Sequence, residues 1–167
     1  MKIVSIFEGS LYSFQYLDKI DNELDRCISL WTDVNYLFEY AKDNHLTDHV
    51  DFVCQILRNV EEIEDYIDDL QRRKACFGFY FRPLQESELR LGTLSLQKGR
   101  IGRNRLRIYA VKVELCYIIT GGAIKMSQKM QEHPDTCLEL NKLQTARNYL
   151  KKEGVFDDDS FYELLKN

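Results

Sequence analysis

Residues 104–120 read Asn104-Arg105-Leu106-Arg107-Ile108-Tyr109-Ala110-Val111-Lys112-Val113-Glu114-Leu115-Cys116-Tyr117-Ile118-Ile119-Thr120, and this stretch decides the fold class. Leu106 to Val113 and Leu115 to Thr120 are rich in the β-branched, aromatic and aliphatic residues that suit a pleated surface. Glu114 leaves room only for a tight connection, so the two runs are expected to pair antiparallel. Upstream, Leu89, Leu91, Thr93 and Ser95 alternate with Arg90, Gly92, Leu94 and Leu96, the period of a third strand. Gly99-Arg100-Ile101-Gly102-Arg103-Asn104 is a basic loop. The three runs make an antiparallel meander, and Gly121-Gly122 is expected to break its last strand.

On the N-terminal side, residues 1–16 read as β, a hairpin or one bent strand, with Glu8-Gly9-Ser10 as the turn. Residues 18–45 read as two helical segments with Asp21 and Thr32 as caps. Thr47 is expected to cap a longer helix, in which Val50, Val53, Leu57, Val60, Ile63, Ile67 and Leu70 share one face. Glu61, Glu62, Asp65, Asp68 and Asp69 fill its outer face, and Arg72-Arg73-Lys74 suits a helix C-terminus. On the C-terminal side, Pro134-Asp135 opens a helix over Thr136 to Lys152, with Leu138, Leu140, Leu143, Ala146 and Leu150 partly on one face. Asp157-Asp158-Asp159-Ser160 introduces a short last helix. The expected class is α+β: a small antiparallel sheet of about four strands, helices inserted after the first strand, and a helix after the last. A single domain, 1–167, contains an acidic helical elaboration at 18–74 and a basic sheet-and-helix region at 82–152.

Charge is segregated along the chain. Residues 82–129 contain ten Lys or Arg against three Asp or Glu, although the whole chain carries a formal −4. A basic face attracts polyanions and an acidic one repels them, so this asymmetry speaks to partners. A chain that is 44% hydrophobic, with only two Pro, can bury a real core and is not expected to be disordered. No apolar run approaches the ~18 residues of a membrane span. The N-terminus has no signal-peptide pattern. Five scattered cysteines with no CxxC pair suit a reducing cytosol. His45 and His49 have i, i+4 spacing, but the helix starts between them and no third ligand is apparent, so no metal site is expected. No Walker loop, dinucleotide fingerprint or nucleophile elbow is present.

The order strand, helices, three-strand meander, helix resembles the RelE/HigB superfamily of bacterial toxins. The resemblance is carried by Asn104-Arg105-Leu106-Arg107-Ile108-Tyr109-Ala110-Val111, then by Cys116-Tyr117-Ile118-Ile119-Thr120. These lead through a Gly into the basic segment Gly121-Gly122-Ala123-Ile124-Lys125-Met126-Ser127-Gln128-Lys129-Met130 and a Pro-led helix at Pro134. It covers roughly residues 82–152 together with the first strand. It implies a metal-independent and cofactor-free mRNA endoribonuclease, the toxin of a bacterial or phage toxin–antitoxin system, cytoplasmic and acting on the ribosome. A cognate antitoxin would cover the basic face.

Carried over by position, Arg107 matches the Arg heading a strand and Lys125 the basic residue after the Gly break. Tyr109 and Arg105 are expected on the face of Arg107, each two residues away along the strand. His133 is the histidine nearest this region. The resemblance thus implies Arg107, Lys125, Tyr109 and His133 as catalytic groups, with Lys98, Arg100, Arg103, Arg105 and Lys129 gripping RNA. In such a reaction the ribose 2′-hydroxyl attacks the adjacent phosphate, so the site must neutralise the phosphorane and move two protons. Arg suits the first task because its planar fork binds two phosphate oxygens.

Plainer readings stand beside these: a solvated strand face, a half-buried packing tyrosine and a histidine at a helix start. Two rival functions do too, a nucleic-acid or protein-binding module without catalysis and a ParE-like toxin directed at gyrase. The acidic helices have three possible roles. They could pack on the sheet as core, mask the basic sheet in cis, or form a homodimer through Val53, Leu57, Val60, Ile63 and Ile67.

Overall fold

The computed structural model describes residues 1–84, 94–126 and 132–167. A hairpin of β1 (Lys2–Phe7) and β2 (Leu11–Gln15) opens the chain. Three helices follow, α1 (Glu23–Trp31), α2 (Val34–Asp43) and α3 (His49–Arg72). A 3-10 turn at Phe77–Phe79 leads into the short strand β3 (Phe81–Pro83). Then come β4 (Ser95–Gly99), β5 (Leu106–Val113), β6 (Cys116–Ile124), α4 (Pro134–Lys152) and α5 (Asp158–Lys166).

The class is α+β, but the sheet differs from the expected four antiparallel strands. Six strands form one mixed sheet in the order β1-β2-β6-β5-β4-β3, in which β2 and β6 run parallel. The first residues supply a hairpin, which adds one strand. Phe81–Pro83 adds another, and its three residues, ending on a proline that can sit only at an edge, carry no periodic signal. The parallel pair exists because the helices and the meander together make the long crossover that such a pair requires. Of the expected strand Leu89 to Leu96, only Leu94–Leu96 falls among the described residues.

The helices begin one residue later than expected, on Asn22, Asp33 and Asp48. At α2 and α3 the short Asp side chain reaches a free N–H of the first turn and outranks the neighbouring Thr, and at α1 Asn22 accepts from Leu24 N and Asp25 N in place of Asp21. The apolar stripe of α3 is core: Val53, Ile56, Val60, Ile63, Ile67 and Leu70 are buried against Leu106, Ile108, Ala110, Tyr117 and Ile119. Val50, in the first turn, is instead 61% exposed. The stripe is therefore unavailable as a dimer surface. The other sheet face, with Tyr109, Val111, Val113 and Ile118, packs against Leu143, Ala146 and Leu150 of α4 and Phe161 of α5. No described helix is long and apolar enough to cross a membrane.

The glycine pair does not break β6, which corrects the sequence expectation. The register instead jumps, with Tyr109 facing Gly121 and Ala110 facing Ile119, so Thr120 is the extra residue of a β-bulge. The jump inverts the alternation: Ile119 belongs to the α1–α3 core, Ala123 to the α4–α5 core and Ile124 to the former again. Glycine is required here by close approach from both sides. A Cβ on Gly121 would lie 2.0 Å from Glu139 Oε2, and one on Gly122 would lie 2.7 Å from Trp31 Cη2.

Candidate nucleic-acid interface

Strand alternation and the bulge bring Lys98, Arg100, Arg107 and Lys125 to one region on the α4–α5 side of the sheet. Lys98 of β4 pairs with Tyr109 of β5, and Arg107 pairs with Ala123 of β6. Lys125 follows two residues after Ala123, its N–H donating to Arg105 O at 2.7 Å. Without the bulge, Lys125 would point towards the α1–α3 core instead.

Arg107 is 6% exposed. Its Nη1 donates to Asn104 O and, at 3.0 Å, to Leu106 O, whereas Nε has no hydrogen-bond partner. Burial, and then the charge of Arg100, lowers the Arg107 pKa. Burial followed by Lys125, Arg107 and Arg100 lowers that of Lys98. Burial followed by Arg107 and Arg100 lowers that of Lys125, with Glu132 opposing. These cations therefore disfavour one another's charge in a partly desolvated setting.

The linkage sign follows. A lysine whose folded pKa lies below its unfolded value costs stability while protonated, and the cost disappears only as pH rises through the ordinary lysine range. The cost lasts while the lysines are protonated, and a bound polyanion removes it. Tripolyphosphate should therefore raise the thermal midpoint of the wild type at pH 7 and raise that of Lys98→Gln/Lys125→Gln much less. Equal shifts in a melting experiment would mean that these lysines do not form the anion site.

The remaining expected site residues are dispersed. Tyr109 is 1% exposed, and burial raises its phenol pKa, so it stays protonated and packs in the core. Arg105 is not on the face of Arg107. Its guanidinium lies 5.5 Å from the Phe52 ring centroid, and its backbone N–H donates to Asn59 Oδ1 at 2.8 Å. The cause is local: Asn104 Oδ1 accepts from Leu106 N, turning the chain just before β5 begins. Asn104 also donates to Asn59 O and Glu62 Oε2.

His133 caps α4, its Nδ1 accepting from Asp135 N at 3.3 Å. Its Nε2 lies 2.7 Å from Asn44 Oδ1. Both ring nitrogens are thus engaged within the fold. Arg103 is exposed in the β4–β5 loop, and Lys129 lies outside the described residues. The acidic helix α3 meets this region through Asn104 and Arg105 and covers the opposite sheet face, so it does not mask the cluster in cis.

Sequence reasoning missed a buried ionic network. β2 pairs with β6 only as far as Ile119, so the end of β6 has an open edge, where α1 and α4 meet. Glu23 of α1 is 2% exposed and accepts from Arg26 Nε and Nη2, both at 2.8 Å, and from Lys142 Nζ of α4 at 2.6 Å. Lys142 also donates to Glu139 Oε1 at 3.1 Å. Glu139 is 4% exposed, its Oε2 has no partner, and burial pushes its pKa up to about 7. Beside the network is a cavity of about 160 Å³ whose lining includes Arg26, Trp31, Tyr36, Tyr40, Asp135 and Glu139. No sequence signal announces this network, because Glu23 and Lys142 are 119 residues apart. Among the described residues no group of three or more His, Cys, Asp or Glu is placed to hold a metal ion.

No protein-family model matches the chain, and no curated protein or solved structure matches it.

Proposed function

We propose that this protein binds the RNA backbone on the basic face of β4–β6 and cleaves it without a metal, as a RelE/HigB-like toxin acting on mRNA at the ribosome. The observation that supports it is the convergence of Lys98, Arg100, Arg107 and Lys125, whose pKa shifts, where resolved, all run downward. Such a cluster is relieved by a polyanion more than by any neutral ligand.

Cleavage would proceed by attack of the ribose 2′-oxygen on phosphorus, with departure of the 5′-oxygen. In this scheme Arg107, whose Nε has no hydrogen-bond partner, would stabilise the phosphorane. Lys98 and Lys125, whose ammonium pKa values burial and neighbouring cations lower, are the groups this scheme assigns to proton transfer. In this scheme Tyr109 and His133 move no proton. A cognate antitoxin would neutralise the same face.

A second reading, binding without cleavage, is favoured by one observation. Both residues of the types that most often shuttle protons are committed to structure, Tyr109 in the core and His133 in a cap.

Inducible expression in a bacterial host, with growth scored and mRNA 5′ ends mapped, tests the proposal. Wild type should arrest growth and create new internal 5′ ends. Lys98→Gln/Lys125→Gln, purified and shown to fold, should lower cleavage by roughly 10²-fold or more. Folded wild type that binds RNA but leaves mRNA intact would reject cleavage and leave the binding module. Arrest with intact mRNA and blocked supercoiling would point to gyrase.

A further inference from the structure

The cation row extends beyond the cluster into a cleft at the sheet edge. Arg82 of β3 pairs with Lys98 of β4, placing a further cation at the outer end of the row. Its Nη1 donates to Gly78 O and, at 3.1 Å, to Phe81 O, leaving Nε and Nη2 without intramolecular bonds among the described contacts. Phe79, Tyr80, Arg82, Pro83, Lys98 and Arg100 line an open cleft of about 370 Å³, within the size range of small-molecule sites. Among the described residues that line it, three are cations, two are aromatic and none is a carboxylate.

Phe79 stands out because it is 63% exposed, whereas Phe77, Tyr80 and Phe81 on either side are buried. The 3-10 turn explains the contrast. Cys76 Sγ accepts from Gly78 N at 3.2 Å and caps the turn. Phe77 is anchored by stacking on Phe7, with ring centroids 5.9 Å apart. The Phe79 carbonyl accepts from Tyr66 Oη at 3.4 Å. With its neighbours fixed, the turn holds the Phe79 ring outward beside Arg82, Lys98 and Arg100. An exposed aromatic next to several cations suits neither the core nor ordinary surface solvation, but it matches what a single-stranded nucleic acid presents: a flat base and its phosphate.

We propose that the Phe79 cleft is a nucleotide subsite, in which one unpaired base stacks on Phe79 while its phosphate is held by Arg82, Lys98 and Arg100. The inference rests on the RNA-binding reading above and deepens it, naming a single-stranded segment as the ligand of this face. Stacking on a ring edge-free of hydrogen-bonding groups accepts any base, with purines favoured by their larger π-surface. The row of Arg82, Lys98, Arg107 and Lys125 then tracks the backbone across the strands.

The test is fluorescence anisotropy with a labelled oligoadenylate and with an abasic ribose-phosphate oligomer of the same length. Wild type, Phe79→Ala, Phe79→Trp and Arg82→Gln are compared. Phe79→Ala should weaken oligoadenylate binding by roughly 5- to 150-fold, leave its salt slope unchanged, and leave abasic binding unaffected. Phe79→Trp should restore affinity. Arg82→Gln should flatten the salt slope by about 0.7 on both oligomers. Equal affinity of wild type and Phe79→Ala for oligoadenylate would overturn the subsite while sparing the RNA-binding reading. Weakening of both oligomers by Phe79→Ala would also overturn it, because a lost stack cannot act on a ligand without bases. Failure of wild type to bind either oligomer would overturn both.

Discussion

Glu23→Ala should cost about 2–4 kcal/mol of folding stability at pH 7.5, read by urea unfolding, because it leaves two half-buried cations without their shared, buried carboxylate. Glu23 bridges Arg26 on its own helix and Lys142 on α4. Burial alone would raise the Glu23 pKa, but hydrogen bonds from Arg26 and Lys142 outweigh it and hold the carboxyl below its ordinary value. Its contribution is therefore present above the unfolded pKa and is lost as pH falls through the folded one. Glu139 has the opposite sign. With its pKa raised to about 7, its ionisation in the folded chain costs stability, and the cost grows as pH rises from the ordinary carboxylate range through 7. Wild type should thus be most stable near pH 5, and Glu139→Gln should remove the decline towards pH 8. A Glu23→Ala loss below about 1 kcal/mol would mean that the network is solvated rather than buried.

Gly99→Ala should destabilise the protein by about 3 kcal/mol, the upper part of the range for overpacking a filled core. A Cβ at Gly99 would lie 2.2 Å from Tyr80 Cε1 and 2.4 Å from Tyr80 Cζ. The ring has nowhere to go. It is 1% exposed and packs edge-on to Phe81, with centroids 4.8 Å apart, and against Tyr66 at 6.0 Å. Because Gly99 lies between Lys98 and Arg100, a displaced ring also shifts both cations, and anion binding should weaken with stability. Tyr80→Leu on the Gly99→Ala background should recover part of the loss. A double variant no more stable than Gly99→Ala, measured by thermal unfolding, would show that the clash is not the cause.

The parts of this fold legible in the sequence were those set by local periodicity. β5 and β6 announced themselves as β-rich runs, Leu106 to Val113 and Leu115 to Thr120, on either side of Glu114, and α3 through its apolar stripe. The hidden parts depend on distant partners. Gly121-Gly122 reads as a strand end, and only the covering of both faces by Glu139 and Trp31 shows why two glycines continue the strand through a bulge. In α4 the apolar pattern pointed to Leu138, yet Leu138 is 59% exposed and Glu139 is buried, with Lys142 of the same helix donating to one of its oxygens. Arg107, Lys98 and Lys125 were legible as residue types at suggestive spacing. That Lys125 shares their side of the sheet follows from the bulge, and that Arg105 leaves it follows from the Asn104 turn. Phe79 gave no signal, since exposure within an aromatic run is decided by which neighbours find a stack.

The most direct test of the central claim is the salt dependence of single-stranded RNA binding by wild type and by Lys98→Gln/Arg100→Gln/Lys125→Gln. Each phosphate contact on a single strand contributes about 0.7 to the slope of log affinity against log salt. The triple variant should therefore bind more weakly and show a slope shallower by about 2, whereas Lys151→Gln/Lys152→Gln, exposed at the C-terminal end of α4, should keep the wild-type slope. A triple variant with unchanged affinity and slope would contradict the account, because the basic face of β4–β6 would then not be where RNA is held.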